Sequence, residues 1–531
     1  MRCRAHLFGV NKYLSRWFSK WLSQYARNWP RHPSHWLSRY FLWLGILVAV
    51  TGLRWVLAAY VPLSPDEAYY RLWALAPAAG YLDHPPMVAL CMRLGMLIGG
   101  DTAFGLRFMA PVLMALSSLC LVAAVSVWLG REEGRAAGVG SAILFNATLA
   151  IGIGAMIMTP DTPLIFFVSV ILWLLSCLCA RGSMRESGWL WLGIAFVAGL
   201  ALDSKYSAAL PIIGVGIWIC LSSESRRCLR TIWLWLAIAL GGGVISPVLW
   251  WNATHHWASF LKQGGRVGNW HPAQALKFMG ELLGGQVGLM TPLIFVLFIG
   301  GCVCLWQKRD RFSVLLLCTI LFPLCVFIQH AMGARVQANW PLVIYPALAL
   351  AGACWYPRWW FYAPVLGILL TSVVIGQALW APLPLSPHRD VMARQVGGWR
   401  NFAKTVDVVV PLGLPIMADD YGLASELAFY MPQQGPKKRV VVAVGARWRL
   451  FTLPHPACGM QGYLVRSHRR TDQPSKAWFD VSKKLFVSLE RRQKGVILDR
   501  YALYRVKLHC EGKKVSVLEA ARLPSPLMGV L

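Results

Sequence analysis

Residues 163–180 read PLIFFVSVILWLLSCLCA, a run of 18 residues without a charged side chain. A helix of this length crosses the hydrocarbon core of a bilayer, which is about 30 Å thick. The composition of the whole chain agrees, because 57% of its 531 residues are hydrophobic and only 14% are charged. A soluble domain has roughly 25% charged residues. The sequence therefore predicts a polytopic membrane protein, and it excludes a soluble enzyme, a disordered chain and a small disulfide-rich scaffold.

Further apolar runs on both sides of this one are also predicted to span the membrane, which gives about eleven transmembrane helices. Several of them are short, so their ends are poorly defined by the sequence. The other predicted spans are 41–61, 106–129, 136–156, 189–202, 207–221, 232–251, 284–305, 312–331, 340–354 and 359–380.

The loops between these spans alternate in charge, which indicates how the chain is oriented. Cytoplasmic loops of membrane proteins carry an excess of Lys and Arg. If the N-terminus is cytoplasmic, the basic loops all lie inside, and an odd number of spans places residues 381–531 outside. The loops predicted to lie outside are 62–105, 157–162, 203–206, 252–283 and 332–339.

Two segments flank the predicted membrane domain, 41–380. Residues 1–40 hold eight basic and no acidic side chains, which is typical of a helix on the cytoplasmic leaflet or of a flexible basic tail. Residues 381–531 begin with a proline-rich linker and contain short β-rich runs at 439–444 and 495–498. With helices expected around 420–431 and 475–492, they predict a small α/β domain outside the membrane.

Cysteine usage and net charge place few further limits on this protein. The C-terminal segment contains only Cys458 and Cys510. They are either joined by a disulfide in an oxidising compartment or present as two free thiols. The chain has 52 basic and 23 acidic residues, a net charge of +29. Because the basic residues lie in loops between apolar spans, we interpret this charge as membrane topology and exclude a nucleic-acid partner.

Acidic residues are scarce, so their positions in the outer loops are informative. Each has an ordinary explanation: Asp66 and Asp161 adjoin prolines at positions that cap helices, and tryptophans near span ends form an aromatic belt. His255 and His256 are either a metal-binding pair or two surface histidines. The polar motifs are Ser64-Pro-Asp66-Glu67, Gly80-Tyr81-Leu-Asp83-His84-Pro85, Thr159-Pro-Asp161-Thr-Pro163, Asp203-Ser-Lys205-Tyr206, Gln263 with Arg266, and Arg335-Val-Gln337-Ala-Asn339.

All these motifs lie on one side of the predicted membrane. Ionisable residues at membrane level are costly, so they tend to be paired or functional. The cations Lys205, Arg266 and Arg335 can neutralise a phosphate, and a carboxylate can take the proton of an incoming hydroxyl. Aromatic and histidine side chains can frame a sugar ring. Together these groups predict the transfer of a sugar from a lipid phosphate to an acceptor.

In these motifs the chain resembles the membrane glycosyltransferases that use polyprenyl-phosphate sugars. This superfamily, of GT-C type, includes protein O-mannosyltransferases and the lipid A aminoarabinose transferase. The resemblance extends over about residues 40–355 and weakly into residues 418–430. It implies a GT-C fold, an all-α polytopic membrane domain that is joined here to the small α/β domain.

The resemblance also implies roles for individual residues. Asp66 corresponds to the catalytic acid of the family, which acts as general base, or holds the acceptor, during attack on the anomeric carbon with inversion. Asp161 is the second predicted catalytic residue, a carboxylate that either supports the site from behind or lies on the acceptor side. Lys205 and His84 would hold the carrier phosphate; the aminoarabinose transferase carries Lys at the position of His84, so we expect donor binding to strengthen at lower pH. The other residues expected to bind substrate are Glu67, Tyr81, Asp83, Arg266 and Arg335.

The expected partners are a polyprenyl-phosphate sugar, membrane lipids, and a lipid A-like glycolipid, polysaccharide or protein as acceptor. The tail from Leu385 holds 24 basic against 11 acidic residues, which favours an anionic acceptor. No cofactor is required for this chemistry, although a divalent cation is possible. We expect a bacterial inner membrane protein whose active site and C-terminal domain face the periplasm.

Two other functions are compatible with part of the sequence. A transporter or flippase of lipid-linked intermediates would favour polar residues at the membrane midplane and broken helices in paired halves, whereas the charges here cluster in outer loops. A non-enzymatic assembly or sensor protein would use the outer domain to bind a partner. A donor-dependent sugar-transfer assay separates the enzyme from both.

Overall fold

The computed structural model describes residues 33–181, 183, 187–264, 272–431, 438–451, 457–470 and 472–509. The chain forms two compact units, Met1–Gly52 and Leu53–Leu531. The predicted basic segment, residues 1–40, lies almost entirely outside the described residues. A helix, Pro33–Tyr60, begins in the first unit.

Most of the described chain is helical, as expected for a polytopic membrane protein. Among the described residues, six helices are long and apolar enough to cross a membrane: Tyr40–Tyr60, Ala103–Leu129, Asp161–Ala180, Ile232–Thr254, Arg311–Ala331 and Tyr362–Trp380. Shorter apolar helices lie between them, at Met87–Gly99, Gly188–Leu202, Tyr206–Leu221 and Trp340–Gly352. The remaining helices before residue 381 are Pro65–Leu75, Arg131–Ala147, Leu149–Gly154, Ala258–Gly264, Pro272–Met290 and Pro292–Lys308.

The predicted span 284–305 is not one straight helix. The first helix ends at Met290, and the next begins at Pro292 after a bend of 102°. Thr291 between them has φ of 70°, in the left-handed region that few non-glycine residues adopt. Proline has no N–H for a continuing helical hydrogen bond, and it disfavours helical conformation in the residue before it. The prediction of a continuous span at this position was therefore wrong.

Small residues bring the membrane helices close together. A Cβ atom on Gly138 would lie 2.8 Å from the carbonyl oxygen of Val122, and one on Gly134 would lie 2.7 Å from the Cα atom of Ser126. This close approach joins the Arg131–Ala147 helix to the helix before it. Such packing of backbones against small residues is a common way for helices to associate in lipid.

The C-terminal domain contains a five-stranded sheet with helices, so the prediction of an α/β domain is confirmed. The strands are β1 (Ile416–Ala418), β2 (Val441–Ala443), β3 (Gln461–Ser467), β4 (Phe479–Gln493) and β5 (Val496–Leu508). They lie in the order β2-β1-β3-β5-β4. Strand β1 pairs in parallel with β2 and β3, and the other pairs are antiparallel. The helices of this domain are Val391–Val396, Trp399–Val409 and Tyr421–Tyr430.

One predicted helix of this domain, residues 475–492, is instead strand β4, so that prediction was wrong. Strand β4 forms a hairpin with β5 through Lys494 and Gly495, which have φ of 45° and 82°. Two successive residues with positive φ suit the tight turn of a β-hairpin. Three register shifts interrupt the pairing of β4 with β5. Such bulges disturb the alternation of apolar and polar residues that marks a strand, which explains why the sequence pattern was misleading.

The structure establishes the bonding state of one of the two cysteines in the C-terminal segment. Cys458 is disulfide-bonded, so the alternative in which it is a free thiol is wrong. Cys510 lies outside the described residues. The eleven other cysteines that the structure describes are free thiols.

Candidate active site

The catalytic acid predicted from the sequence lies in the first turn of the Pro65–Leu75 helix. This helix begins directly after Ser64, whose hydroxyl accepts a hydrogen bond from the backbone N–H of Glu67, while the Glu67 carboxylate accepts one from the N–H of Ser64. This reciprocal capping box, followed by Pro65 at the first helical position, fixes where the helix starts. Asp66 is thereby held at the helix N-terminus.

Glu67 is fully buried, and both of its carboxylate oxygens pair with the buried Arg107. Its two carboxylate oxygens accept hydrogen bonds from Nε and Nη2 of Arg107, at 2.6 Å and 2.7 Å. Arg107 also donates to the backbone carbonyls of Ala58 and Val61. This bidentate pair anchors the start of the Pro65–Leu75 helix, and it leaves Glu67 no oxygen directed towards a substrate.

Asp66 has the opposite surroundings. Its side chain is exposed, yet enough protein surrounds it for burial to raise the pKa of its carboxyl group above the ordinary value. The charge of Asp83 raises this pKa further, whereas a hydrogen bond from Tyr421 and the charge of Arg447 lower it. The Tyr421 hydroxyl donates to Oδ1 of Asp66 at 2.9 Å. A carboxylate with a raised pKa is better matched to proton transfer near neutral pH.

Asp83 forms a second cluster together with two cations. Lys262 Nζ lies 2.8 Å from its Oδ1 atom, and Arg447 Nη1 lies 3.1 Å from Oδ2. The Tyr69 hydroxyl also donates to Oδ2, at 3.0 Å. Although burial raises the pKa of Asp83, these two cations outweigh it and hold the pKa well below the usual range. Because two cations face one carboxylate, the cluster has a net positive charge.

Asp161 and Lys205 form a third, more deeply buried cluster. Lys205 Nζ lies 2.7 Å from Oδ1 of Asp161, and the amide of Asn339 donates to Oδ2 at 3.0 Å. Asp161 is the first residue of the Asp161–Ala180 helix. The negative charge near a helix N-terminus is favourable, and the pair with Lys205 balances it.

Tyr70 shows that the three carboxylates lie around one place. Burial raises the pKa of its phenol above the ordinary value, and the negative charges of Asp66, Asp83 and Asp161 raise it further. Coulomb interactions weaken with distance, so all three carboxylates lie near this side chain. Residues from three predicted outer loops therefore lie near this tyrosine.

Tyr81 and His84 shape the loop between these clusters. The Tyr81 hydroxyl donates to the carbonyl oxygen of Trp73 at 2.9 Å and accepts from the N–H of Ala78. Its ring stacks on the Trp73 ring with 4.3 Å between centroids. The His84 ring lies against Tyr70, 6.2 Å between centroids. Tyr81 is 2% exposed and therefore supports the loop, while His84 lies next to the central tyrosine.

The remaining predicted residues are placed differently. Arg335 forms an ion pair with Glu281, 2.9 Å from Nε to Oε2, in the Pro272–Met290 helix. Arg266 lies outside the described residues. His255 stacks on Trp251 with 4.2 Å between ring centroids. Within the described ranges, no three His, Cys, Asp or Glu side chains meet in a way that could hold a metal ion.

Sequence reasoning missed several residues of this site. Lys262 directly precedes Gln263, which the motif did include, and Asn339 stands in a motif that was noted only for its arginine. Tyr421 lies in the segment 418–430, to which the resemblance extends weakly, but no role was predicted for it, and Arg447 had no local signal as a site residue. They lie 355 residues from Asp66 and 364 residues from Asp83 along the chain, so only the folded structure brings them together.

Comparisons with known proteins agree with this architecture. Residues 83–251 match the model of a family described as dolichyl-phosphate-mannose-protein mannosyltransferase. The chain is also similar to a lipid A galacturonosyltransferase, RgtD, from Rhizobium johnstonii (strain DSM 114642 / LMG 32736 / 3841), with 25% identity over 331 residues. That alignment covers 61% of this chain and 66% of the relative, so the chain spans slightly less than two thirds of the relative's length.

The fold is similar to that of solved structures. The crystal structure of ArnT from Cupriavidus metallidurans in the apo state gives a TM-score of 0.58 at 13% identity, covering 91% of this chain and 99% of that chain. The crystal structure of the same protein bound to undecaprenyl phosphate gives 0.57 at 14% identity, covering 87% and 98%. The chain therefore has the fold of these solved structures, and its match to the family model over residues 83–251 and its similarity to the galacturonosyltransferase agree with that fold.

Proposed function

We propose that this protein transfers a sugar from a polyprenyl-phosphate carrier to a lipid A-like glycolipid at the periplasmic face of a bacterial inner membrane. The observation that supports it best is the exposed Asp66, whose pKa is raised and which lies near two carboxylate–cation clusters. A curated relative is named as a lipid A galacturonosyltransferase, and a protein of similar fold was solved with undecaprenyl phosphate. The transferred sugar is a hexose, a pentose or a derivative of one.

The proposed chemistry is a single displacement with inversion. The acceptor hydroxyl gives its proton to Asp66, and its oxygen forms a bond to the anomeric carbon of the sugar. The bond from that carbon to the phosphate oxygen breaks, and the electron pair leaves with the phosphate. General-base assistance of this kind contributes about 10²- to 10⁴-fold to the rate.

The leaving phosphate needs positive charge, and two sources are available. Lys205 has further N–H groups besides the one directed at Asp161, and it would donate to the phosphate. Lys262 and Arg447 together exceed the charge of Asp83 by one, so this cluster attracts an anion as well. Stabilisation of a developing negative charge by fixed donors is usually the largest single contribution to enzymatic catalysis.

The lipid acceptor is proposed partly from charge. The tail from Leu385 has a net charge of +13, from 24 basic and 11 acidic residues. An anionic glycolipid is attracted to such a surface. A polysaccharide or protein acceptor would not need this charge.

The test is mass spectrometry of lipid A and total glycolipids from a deletion strain, complemented with the wild type or with Asp66→Asn. We expect one sugar mass to disappear in the deletion strain and to stay absent with Asp66→Asn, because transfer falls by about 10²-fold or more without the base. Asp101→Asn is the matched control, since this acid of the same outer loop pairs with Arg71. It should restore the sugar.

Two outcomes would contradict the proposal. An unchanged lipid A together with a change in polysaccharide or protein glycans would move the acceptor to another class. Full restoration of the sugar by Asp66→Asn would show that Asp66 is not the base. Comparable membrane levels of the variants, measured by immunoblot, make either outcome interpretable.

A further inference from the structure

The C-terminal domain reaches the catalytic carboxylate through the first residue of its Tyr421–Tyr430 helix. Asp420 caps this helix, since its Oδ1 atom accepts a hydrogen bond from the N–H of Leu423 at 2.8 Å. A capped first turn holds the backbone of Tyr421 in one conformation. The Tyr421 side chain is 8% exposed, and its hydroxyl donates to Oδ1 of Asp66.

This helix is docked closely along the Pro65–Leu75 helix. A Cβ atom on Gly422 would lie 2.9 Å from Cβ of Pro65, so only glycine permits this distance between the backbones. At the far end, the Tyr430 hydroxyl accepts a hydrogen bond from the N–H of Leu63 at 3.4 Å. The helix is therefore fixed at both ends against the segment that carries Asp66.

Arg447 holds the Tyr421 ring from another side. Its guanidinium lies 4.4 Å from the centre of the Tyr421 ring and 5.3 Å from that of Tyr69, distances at which a cation is attracted to an aromatic face. The same guanidinium donates to Asp83. The phenol of Tyr421 is thus held between a fixed cation and Asp66, and a nearby positive charge strengthens the phenol as a donor.

We infer that Tyr421 is a positioning residue for the base: it holds Oδ1 of Asp66 and leaves Oδ2 to receive the proton of the acceptor hydroxyl. The inference rests on the proposed role of Asp66. Among the described residues, none donates a hydrogen bond to Oδ2. The C-terminal domain is then a part of the active site, because it supplies Tyr421, while the membrane domain supplies Asp66.

The bond has a measurable electrostatic consequence. A hydrogen bond to an ionised carboxylate favours the ionised form, so removing the Tyr421 hydroxyl makes Asp66 hold its proton to a higher pH. A hydrogen bond to a charged group is worth enough to move the titration by about one pH unit. A residue that merely supports the fold would not move the titration of Asp66.

The experiment uses the full-length protein in detergent micelles and dicyclohexylcarbodiimide, which reacts with protonated carboxyl groups. Labelling of the Asp66 peptide is measured by mass spectrometry between pH 4 and pH 9 for the wild type, Tyr421→Phe and Tyr430→Phe. We expect the midpoint of labelling to rise by about one pH unit in Tyr421→Phe and to stay in place in Tyr430→Phe. The latter removes a hydroxyl from the same helix without touching Asp66.

The substitution Gly422→Ala tests the role of the Tyr421 hydroxyl independently. The added methyl group must push the helix away from Pro65, which lengthens the bond to Asp66, so its midpoint should also rise. Equal labelling midpoints in the wild type and Tyr421→Phe would overturn the inference. A rise in Tyr430→Phe as large as that in Tyr421→Phe would also overturn it, because it would indicate that the helix is merely docked less tightly.

The outcome is separable from that of the proposed function, because labelling needs no sugar donor or acceptor. Restoration of the glycan by Asp66→Asn would refute the base assignment even if the midpoint moved. Loss of the glycan in Asp66→Asn with an unmoved midpoint in Tyr421→Phe would refute only the role of Tyr421.

Discussion

Asp66 and Glu67 are neighbours in the first turn of one helix, but they lie in different surroundings. Glu67 points inward and closes the capping box while both of its oxygens accept from Arg107. Asp66 points outward to Tyr421 and has an oxygen available for chemistry. The resemblance assigned the catalytic role to Asp66 and substrate binding to Glu67, but the residue pair alone does not tell which acid is buried, because that depends on where Arg107 lies.

At this scale we predict that Glu67→Gln destabilises the protein strongly. The substitution leaves the buried guanidinium of Arg107 without its counter-charge, which costs about 3–5 kcal/mol when one partner of a buried pair is removed. The melting temperature in detergent should fall by several degrees. Asp66→Asn is the matched comparison, and it should melt near the wild-type temperature because Asp66 is exposed. Equal melting temperatures of both variants would contradict the buried-pair interpretation.

Among the elements, the Tyr421–Tyr430 helix contains a second unusual acid. Glu426 is 1% exposed, and within the described residues neither of its oxygens has a hydrogen-bond partner. Burial raises the pKa of this carboxyl group well above its ordinary value, and the charge of Glu67 adds to this, while Arg491 and Arg107 oppose it. The folded protein therefore binds a proton at Glu426 more tightly than the unfolded chain does.

This predicts how stability depends on pH. A group whose pKa is raised on folding stabilises the folded state below its unfolded pKa, and this contribution is lost as the pH rises through the folded pKa. Glu426→Gln cannot ionise, so its melting temperature relative to the wild type should increase as the pH is raised from 5 to 9. The measurement is thermal unfolding in detergent at several pH values. A constant difference would show that folding does not raise the pKa of Glu426.

The elements were predicted unevenly from the sequence. The Asp161–Ala180 and Arg311–Ala331 helices follow directly from apolar runs of membrane-spanning length. The broken helix at Thr291 and the strand β4 did not, because each depends on a local backbone detail. The break at Thr291 could have been predicted from Pro292, and the end of β4 from the turn at Lys494 and Gly495. An interpretation based only on the periodicity of hydrophobic residues does not consider these positions.

For the whole molecule, the part of the site that could be predicted from the sequence is the set of residues in the predicted outer loops. Asp66, Asp83, Asp161 and Lys205 come from loops that the sequence predicts to lie outside, and this predicted topology already places them on one side. Arg447 comes from a domain whose docking depends on packing against the Pro65–Leu75 helix, and no sequence pattern specifies such an interface.

The distribution of cations over the whole site predicts that transfer needs no divalent ion. Lys205, Lys262 and Arg447 supply positive charge at Asp161 and Asp83. In many enzymes that act on phosphates, a metal ion supplies the positive charge that stabilises the leaving group. Purified protein should therefore retain its full sugar-transfer rate in EDTA. Loss of activity in EDTA that added Mg²⁺ or Mn²⁺ restores would contradict this.

The docking of the Tyr421–Tyr430 helix has a consequence for biosynthesis. Asp66 and Tyr421 are separated by 355 residues, and a ribosome adding about 5–20 residues per second needs roughly 20 to 70 s to synthesise that length. During this interval the nascent chain contains Asp66, the proposed base, but lacks the Tyr421 hydroxyl that donates to it. A chain released before residue 421 therefore lacks the hydrogen bond that we infer to position the proposed base.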